Sequence, residues 1–146
     1  MEDLVVYRVT AFSEALAEAF ARLLPQLSPR LGALSEERLR RLLAAPAAAL
    51  YVAERAGRIV GTLTLAWYDA PSGRKAWIED VVVDAAARGR GAGRALVEEA
   101  LRHASRIGAA CVMLTSNPAR RAAHALYRKA GFETYDTTVF RSKPGK

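Results

Sequence analysis

The residues best suited to chemistry lie between positions 81 and 94, where an apolar segment runs into a glycine-rich turn that opens a long helix. Glycines let the backbone close on a ligand without interference from Cβ atoms. The unpaired N–H groups of a first helical turn carry partial positive charge, and arginines add full charges that bind phosphate oxygens. The glycines are Gly89, Gly91 and Gly93, and the arginines are Arg88, Arg90 and Arg94. The pattern predicts a pyrophosphate site, and the alternative is a strand-to-helix turn with surface arginines.

Apolar periodicity and turn residues predict the elements that must hold this stretch in place. The predicted strands are 4–9, 50–55, 59–68, 75–83, 111–115, 132–135 and 138–142. The predicted helices run from 12 to 24 before Pro25, from the cap Ser35 to Pro46, from the glycine turn to Gly108, and from the cap Asn117 to Gly131. Strands 50–55, 59–68 and 75–83 form an expected antiparallel meander, so the chain is expected to be α+β.

Composition sets the class of protein. The 146 residues are 51% hydrophobic and 25% charged, which predicts one folded domain over 1–146 and excludes wholesale disorder. The net charge of +7 suits phosphate-bearing ligands, nucleic acid or an acidic partner surface equally well.

The cysteine and histidine pattern excludes two further classes of site. Cys111 is the single cysteine and lies in an apolar run, so no disulfide framework is possible and a buried structural thiol is expected. His103 and His124 have no metal-ligand spacing, and no metal is predicted. Because neither a signal-peptide pattern nor a long apolar run is present, a cytoplasmic protein without membrane contact is expected.

The order of elements and three motifs resemble the GNAT acetyltransferase superfamily. The stretch Arg88-Gly89-Arg90-Gly91-Ala92-Gly93 is similar to the family signature Gln/Arg-x-x-Gly-x-Gly/Ala. Tyr127, followed after three residues by Gly131-Phe132, is similar to a second family marker, and Asn117 is a third. The resemblance implies the GNAT fold, with a central, mostly antiparallel mixed sheet of about seven strands flanked by four helices.

This resemblance also implies an enzyme that moves the acetyl group of acetyl-CoA to a primary amine by direct attack, without an acyl-enzyme. The backbone of Val81, Val82 and Val83 would pair with the pantetheine arm, and the N–H groups from Gly89 to Arg94 would bind the pyrophosphate. Asn117 would contact the cofactor, and Tyr127 would protonate the departing thiolate. In each case the alternative is an ordinary structural residue.

Two carboxylates are candidates for the base. Glu79 and Asp80 are adjacent, so on a regular strand they point to opposite faces. Regular alternation also predicts that Trp77, Glu79, Val81 and Val83 share one face. A carboxylate among such bulky apolar groups would have a raised pKa, which favours Glu79 as the base. The alternative is a carboxylate that only orients the substrate cation.

The substrate and partners stay open at this level. A small amine is favoured, and a protein lysine or N-terminus is the alternative within the same fold. A basic nucleic-acid-binding module is less favoured, because no recognised motif accompanies the charge. A homodimer is possible for this fold, and His124, Arg120 and Arg121 have no assigned role. A dinucleotide fold is disfavoured because Gly-x-Gly-x-x-Gly is missing, and a P-loop because Gly-Lys-Ser/Thr is missing.

Overall fold

The computed structural model describes residues 3–145 and contains a five-stranded sheet in the order β1-β2-β3-β4-β5. The elements are β1 (Leu4–Val9), α1 (Glu14–Leu27), α2 (Glu36–Ala44), β2 (Ala48–Arg55), β3 (Arg58–Ala70), β4 (Gly73–Val83), a 3₁₀ turn (Ala85–Ala87), α3 (Ala92–Arg106), β5 (Cys111–Met113) and α4 (Arg121–Lys129). The sheet and α1 to α3 belong to one compact unit that ends at Thr115, and α4 belongs to a second that begins at Ser116.

The predicted antiparallel meander of β2, β3 and β4 is confirmed. The β2–β3 hairpin turns at Ala56 and Gly57, which both have positive φ, as a two-residue hairpin turn of the primed type requires. β1 pairs antiparallel with β2, and β5 pairs parallel with β4. Because a parallel pair needs a crossover connection, α3 serves as the crossover between β4 and β5.

Helices cover both faces of the sheet. On one face, Leu16 and Phe20 of α1 and Leu39 of α2 form a buried cluster with Leu50 and Val52 of β2. The opposite face carries α3, which approaches the sheet so closely that a Cβ added at Gly61 would lie 3.1 Å from Leu96. A side chain at position 61 would therefore crowd the Leu96 side chain and the Val82 carbonyl oxygen, which would lie 3.2 Å from its Cβ.

Serine side chains begin both of the first two helices. Ser13 and Ser35 accept hydrogen bonds at 3.1 Å from the N–H groups of Leu16 and Arg38, which confirms the predicted cap at Ser35. The predicted stop at Pro25 is wrong, since α1 continues to Leu27. In this last turn the Gln26 side chain accepts a hydrogen bond from the Ala85 N–H, which helps to hold the turn beyond the proline.

The second unit differs from prediction in two respects. α4 begins at Arg121 rather than at Pro118, because the Asn117 side chain accepts the Ala119 N–H and closes a local turn first. The strands predicted at 132–135 and 138–142 are also wrong, so the sheet has five strands rather than about seven. A strand needs a hydrogen-bonded neighbour, and within residues 3–145 no strand pairs with this segment, where Phe140 is 90% exposed.

Cys111 is exposed, so the expectation of a buried thiol is wrong. The apolar run that suggested burial forms β5, which has only three residues and lies at the edge of the sheet. An edge strand is covered on one side only by a neighbouring strand, which explains the exposure. Within residues 3–145 no helix combines the length and apolar character needed to cross a membrane.

His103 is buried between α3 and the sheet. Its Nδ1 lies 2.7 Å from the Tyr51 hydroxyl, and its ring packs against Trp67 with the ring centroids 5.1 Å apart. Burial lowers the pKa of His103 below 6.5, with the positive charges of Arg106 and Arg8 acting in the same direction. The neutral form is therefore the one that the fold favours.

We expect the free energy of unfolding to decrease as the pH falls through 6.5, because the unfolded chain then binds a proton that the folded chain resists. Urea unfolding between pH 5 and pH 8 measures this decrease. His124→Gln, at the other histidine of the chain, should keep the decrease, and His103→Gln should remove most of it. Equal pH dependence in the two variants would contradict the assignment to His103.

Candidate active site

The glycine turn ends in an uncapped helix. Gly89 and Gly91 have φ values of 80° and 90°, in the left-handed region that favours glycine. Gly91 is the N-cap of α3, and no side chain caps the helix there. The first helical hydrogen bond runs from the Ala95 N–H to the Gly91 carbonyl. Among the described residues, the N–H groups of 92–94 therefore have no hydrogen-bond partner, as an anion site requires.

The predicted arginines of the turn are not equivalent. Arg94 forms an ion pair with Glu98 at 2.6 Å, which leaves its charge partly neutralised. Arg88 makes one long hydrogen bond of 3.4 Å to the Val83 carbonyl, and no carboxylate in the described chain lies within ion-pair distance of it. Arg55 of β2 donates to the Arg90 carbonyl at 3.0 Å and adds a charge that sequence reasoning missed, because it lies 35 positions away.

The entry to the turn is fixed by Asp84, which is only 8% exposed and follows β4 directly. Its carboxylate accepts hydrogen bonds from Arg22 at 3.0 Å, from Gln26 at 3.4 Å and from the Ala86 N–H at 3.1 Å. The Ala86 N–H, followed by Gln26 and Arg22, holds the pKa of Asp84 below 3.8 against the effect of burial. We refer to Arg22, Gln26 and Asp84 as the α1 clamp.

β4 contains a bulge next to the candidate base. Residues directly opposite in an antiparallel ladder share a face of the sheet. Glu79 lies opposite Thr64 and Val82 lies opposite Thr62, so Glu79 and Val82 share a face although three positions separate them. The extra residue is accommodated at Asp80, whose φ of 51° is left-handed. An aspartate tolerates this region at a cost of about 1 kcal/mol, and such strain is concentrated at functional sites.

The bulge overturns one expectation from the sequence. Trp77, Glu79, Val81 and Val83 do not share a face, because alternation slips by one residue after Glu79. Trp77 and Glu79 instead share a face with Val82, which is buried. Glu79 itself remains exposed to solvent. Partial burial of its carboxyl group raises its pKa above 4.5, and the negative charge of Asp80 adds to the effect.

On the edge that faces β5, β4 has no strand partner within residues 3–145 past the end of the β5 ladder. The ladder with β5 covers only Lys75 to Trp77, whereas β4 continues to Val83. In the part of the chain that the structure describes, residues 78–83 have no strand neighbour on this edge. Backbone N–H and C=O groups of a free edge can bind an extended ligand as an added strand. This edge leads directly into the glycine turn and the start of α3.

In the second unit, the motif of Tyr127, Gly131 and Phe132 forms the cap that ends α4. Gly131 follows the end of α4 with φ 99°, and the Phe132 N–H donates to the Tyr127 carbonyl at 2.9 Å. The Gly131 N–H donates to the Arg128 carbonyl, which completes a Schellman cap. The ring of Phe132 packs edge-on against Tyr127, with the centroids 5.9 Å apart. Tyr127 is 8% exposed, and burial raises its pKa above 10.0.

Asn117 precedes α4. Its side-chain oxygen accepts the Ala119 N–H at 2.9 Å, and its backbone carbonyl accepts the Arg120 N–H at 3.0 Å. This turn orients the Asn117 side chain. The first unit contains Glu79, Asp80, the edge 81–83 and the turn 88–94, and the second contains Asn117 and Tyr127. The catalytic and cofactor-binding roles of all these residues stay predictions.

The family prediction depended on the order of the elements, the glycine signature at 88–93, Asn117 and the Tyr127–Phe132 motif. A family model described as the Acetyltransferase (GNAT) family matches residues 11–132. The chain belongs to this family. The match covers both the glycine turn and the Tyr127 motif, and it confirms the predicted family of acetyltransferases.

Several known proteins are similar to this family member. Mycothiol acetyltransferase of Thermomonospora curvata is 35% identical over 119 residues, which make up 80% of this chain and 39% of that protein. An aminoglycoside acetyltransferase from an uncultured soil metagenomic sample, in complex with trehalose, has a TM-score of 0.84 at 20% identity, covering 98% and 97% of the two chains. An aminoglycoside N-acetyltransferase in complex with CoA has a TM-score of 0.79 at 18% identity, covering 99% and 97%. The two structures confirm the predicted fold.

Arg22 of the α1 clamp pairs with both the buried Asp84 and the exposed Glu18, so the contributions of these two pairs to stability can be compared. Asp84→Ala should lower the free energy of unfolding by about 3 kcal/mol at pH 7, since it leaves a largely buried guanidinium without its buried partner. Glu18→Ala, which removes the exposed partner of the same arginine, should cost no more than about 0.5 kcal/mol. Urea unfolding of the two variants measures both. Similar losses would show that the clamp does not hold the turn.

Proposed function

We propose that this GNAT family member is an acetyl-CoA-dependent N-acetyltransferase that acts on the primary amine of a small molecule. The observation that carries the proposal is the free edge of β4, which leads through a short 3₁₀ turn and the glycine turn into the uncapped start of α3. A ligand that combines an amide-bearing extended arm with a diphosphate matches both parts at once. Coenzyme A has this composition.

The charges around the turn support the same ligand. Arg88 and Arg55 are available there in addition to the N–H groups of 92–94, and the whole chain has a net charge of +7. Because phosphate oxygens accept hydrogen bonds from both guanidinium and backbone N–H groups, these donors add to one another. The aminoglycoside N-acetyltransferase that was solved in complex with CoA has the same fold, which is consistent with coenzyme A as the ligand.

Within this proposal the reaction needs one base and one acid. Glu79 takes a proton from the substrate ammonium, directly or through water, and the free amine attacks the thioester carbonyl carbon. A C–N bond forms, the C–S bond breaks, and the attacking nitrogen loses its second proton to water. Tyr127 gives its hydroxyl proton to the departing thiolate, and its raised pKa keeps that proton available. Backbone N–H groups on the free edge of β4 can stabilise charge on the carbonyl oxygen.

A small-molecule acceptor is favoured by the relatives. Of the similar proteins, one is named a mycothiol acetyltransferase and two are named aminoglycoside acetyltransferases, and these names refer to small molecules rather than to protein substrates. The present chain spans 39% of the length of the mycothiol enzyme, so mycothiol chemistry is not proposed for this chain. Acetylation of a protein lysine or N-terminus is the competing function within the same fold.

Binding of acetyl-CoA should depend on the turn. We expect acetyl-CoA to raise the melting temperature in a concentration-dependent way, and duplex DNA to have no effect that survives physiological salt. Arg88→Ala should weaken the binding of acetyl-CoA about tenfold by loss of one charged contact. Arg102→Ala, at the other end of α3, is the matched control and should bind as the unmodified protein does. A shift with DNA alone would support the basic binding module instead.

Turnover should depend on Glu79. The rate should rise with pH as Glu79 loses its proton, and the raised pKa puts this rise above pH 4.5. Glu79→Gln should lower kcat by about 10²- to 10³-fold and remove this acid limb, while acetyl-CoA binding stays unchanged. Thiol release at saturating amine measures kcat over pH. A variant that keeps the turnover and the acid limb would show that Glu79 only orients the substrate or has no role.

A further inference from the structure

A row of side chains on one face of the sheet is not used by the proposed chemistry. The register pairs Tyr68 with Lys75, and Lys75 in turn with Cys111 of β5. Two positions further along the ladder, Trp77 lies beside Met113. Since paired residues share a face, these side chains lie on the same face as Glu79, which is opposite Thr64.

The middle of this row is apolar and accessible. Tyr68 is 48% exposed, and the Trp77 indole N–H donates to the Tyr68 hydroxyl at 3.4 Å, so the two rings are neighbours. Met113 is half-buried beside Trp77. Two aromatic rings and a thioether form a floor that suits a flat or apolar body. We refer to Tyr68, Trp77 and Met113 as the aromatic floor.

Opposite charges flank the aromatic floor along β4. From the rise of an extended strand, Glu79 lies about 7 Å beyond Trp77 and Lys75 about 7 Å before it. The Lys75 side-chain ammonium makes no ion pair or hydrogen bond within residues 3–145, although the Lys75 backbone is paired in the sheet. Its neighbour Arg74 contrasts with it, since Arg74 pairs with Asp69 at 2.8 Å and donates to the Ile107 carbonyl. The charge of Lys75 is thus available to a ligand, whereas that of Arg74 is used by the fold.

We propose that the acceptor is an amine with a flat or apolar body and an anionic group at its far end. Its amine would meet Glu79, its body would lie on the aromatic floor, and its carboxylate or phosphate would pair with Lys75. This assignment deepens the proposed function and rests on it. An acceptor with several ammonium groups, which includes the aminoglycosides, fits less well because Lys75 would repel its far end.

Two matched amines test the inference. 4-(2-Aminoethyl)benzoic acid and 2-phenylethylamine have the same amine and ring and differ only in the carboxylate. At saturating acetyl-CoA, we expect kcat/KM to favour the acid by about tenfold, from one charged hydrogen bond. Lys75→Gln should remove this preference, so that the ratio of the two kcat/KM values falls to about one. Arg102→Gln removes a cation from α3 on the opposite face and should keep the preference.

The outcomes separate this inference from the proposed function. If both amines are acetylated equally, or if Lys75→Gln keeps the preference, the anionic-acceptor inference is wrong and the acetyltransferase proposal stands. If acetyl-CoA is bound but only multiply cationic amines are acetylated, the inference is also wrong. Failure to bind acetyl-CoA at all would overturn both. Trp77→Leu provides a second readout, because it should lower kcat/KM about tenfold for both amines by loss of stacking area.

Discussion

The difference in length between two neighbouring strands is the constraint on which the site depends. β4 has eleven residues and β5 has three, so the two strands can pair over one end of β4 only. Backbone N–H and C=O groups that lack a partner are costly unless water or a ligand satisfies them. The open part of β4 is therefore a place where an amide-bearing chain can replace water, and its direction is fixed by the ladder with β3.

The rest of the first unit fixes the position of this edge and the point at which β4 leads into the glycine turn before α3. The meander fixes one side of β4, and the bulge at Asp80 brings Val82 to the face that carries Trp77 and Glu79. The α1 clamp then fixes the point where β4 ends and the glycine turn begins. Because Arg22 also donates to the Ile59 carbonyl, α1 ties the start of β3 to the end of β4. The position of the uncapped helix thus follows from contacts made at the other side of the sheet.

Local patterns in the sequence predicted the parts of the site that depend on local conformation. The glycines of the turn, the helix after it, the meander and the cap at Ser35 each need only neighbouring residues, and the structure contains all four. Sequence reasoning missed three features: the bulge at Asp80, the clamp on Asp84 and the charge of Arg55 beside the turn. Each of them depends on a partner far along the chain. Regular alternation offers no sign of an extra residue in a strand, so Val81 and Val83 were placed wrongly relative to Glu79, and Val82 was not expected on its face. The exposure of Cys111 was missed for a related reason, since an apolar run does not reveal whether its strand lies at an edge.

Titration of the ¹⁵N-labelled protein with coenzyme A, followed through its backbone amide resonances, tests the central claim most directly. The account predicts that the amide signals of 92–94 and of the open edge 81–83 shift together and saturate at one ligand concentration. Shifts confined to other residues, with these two segments unchanged, would contradict it.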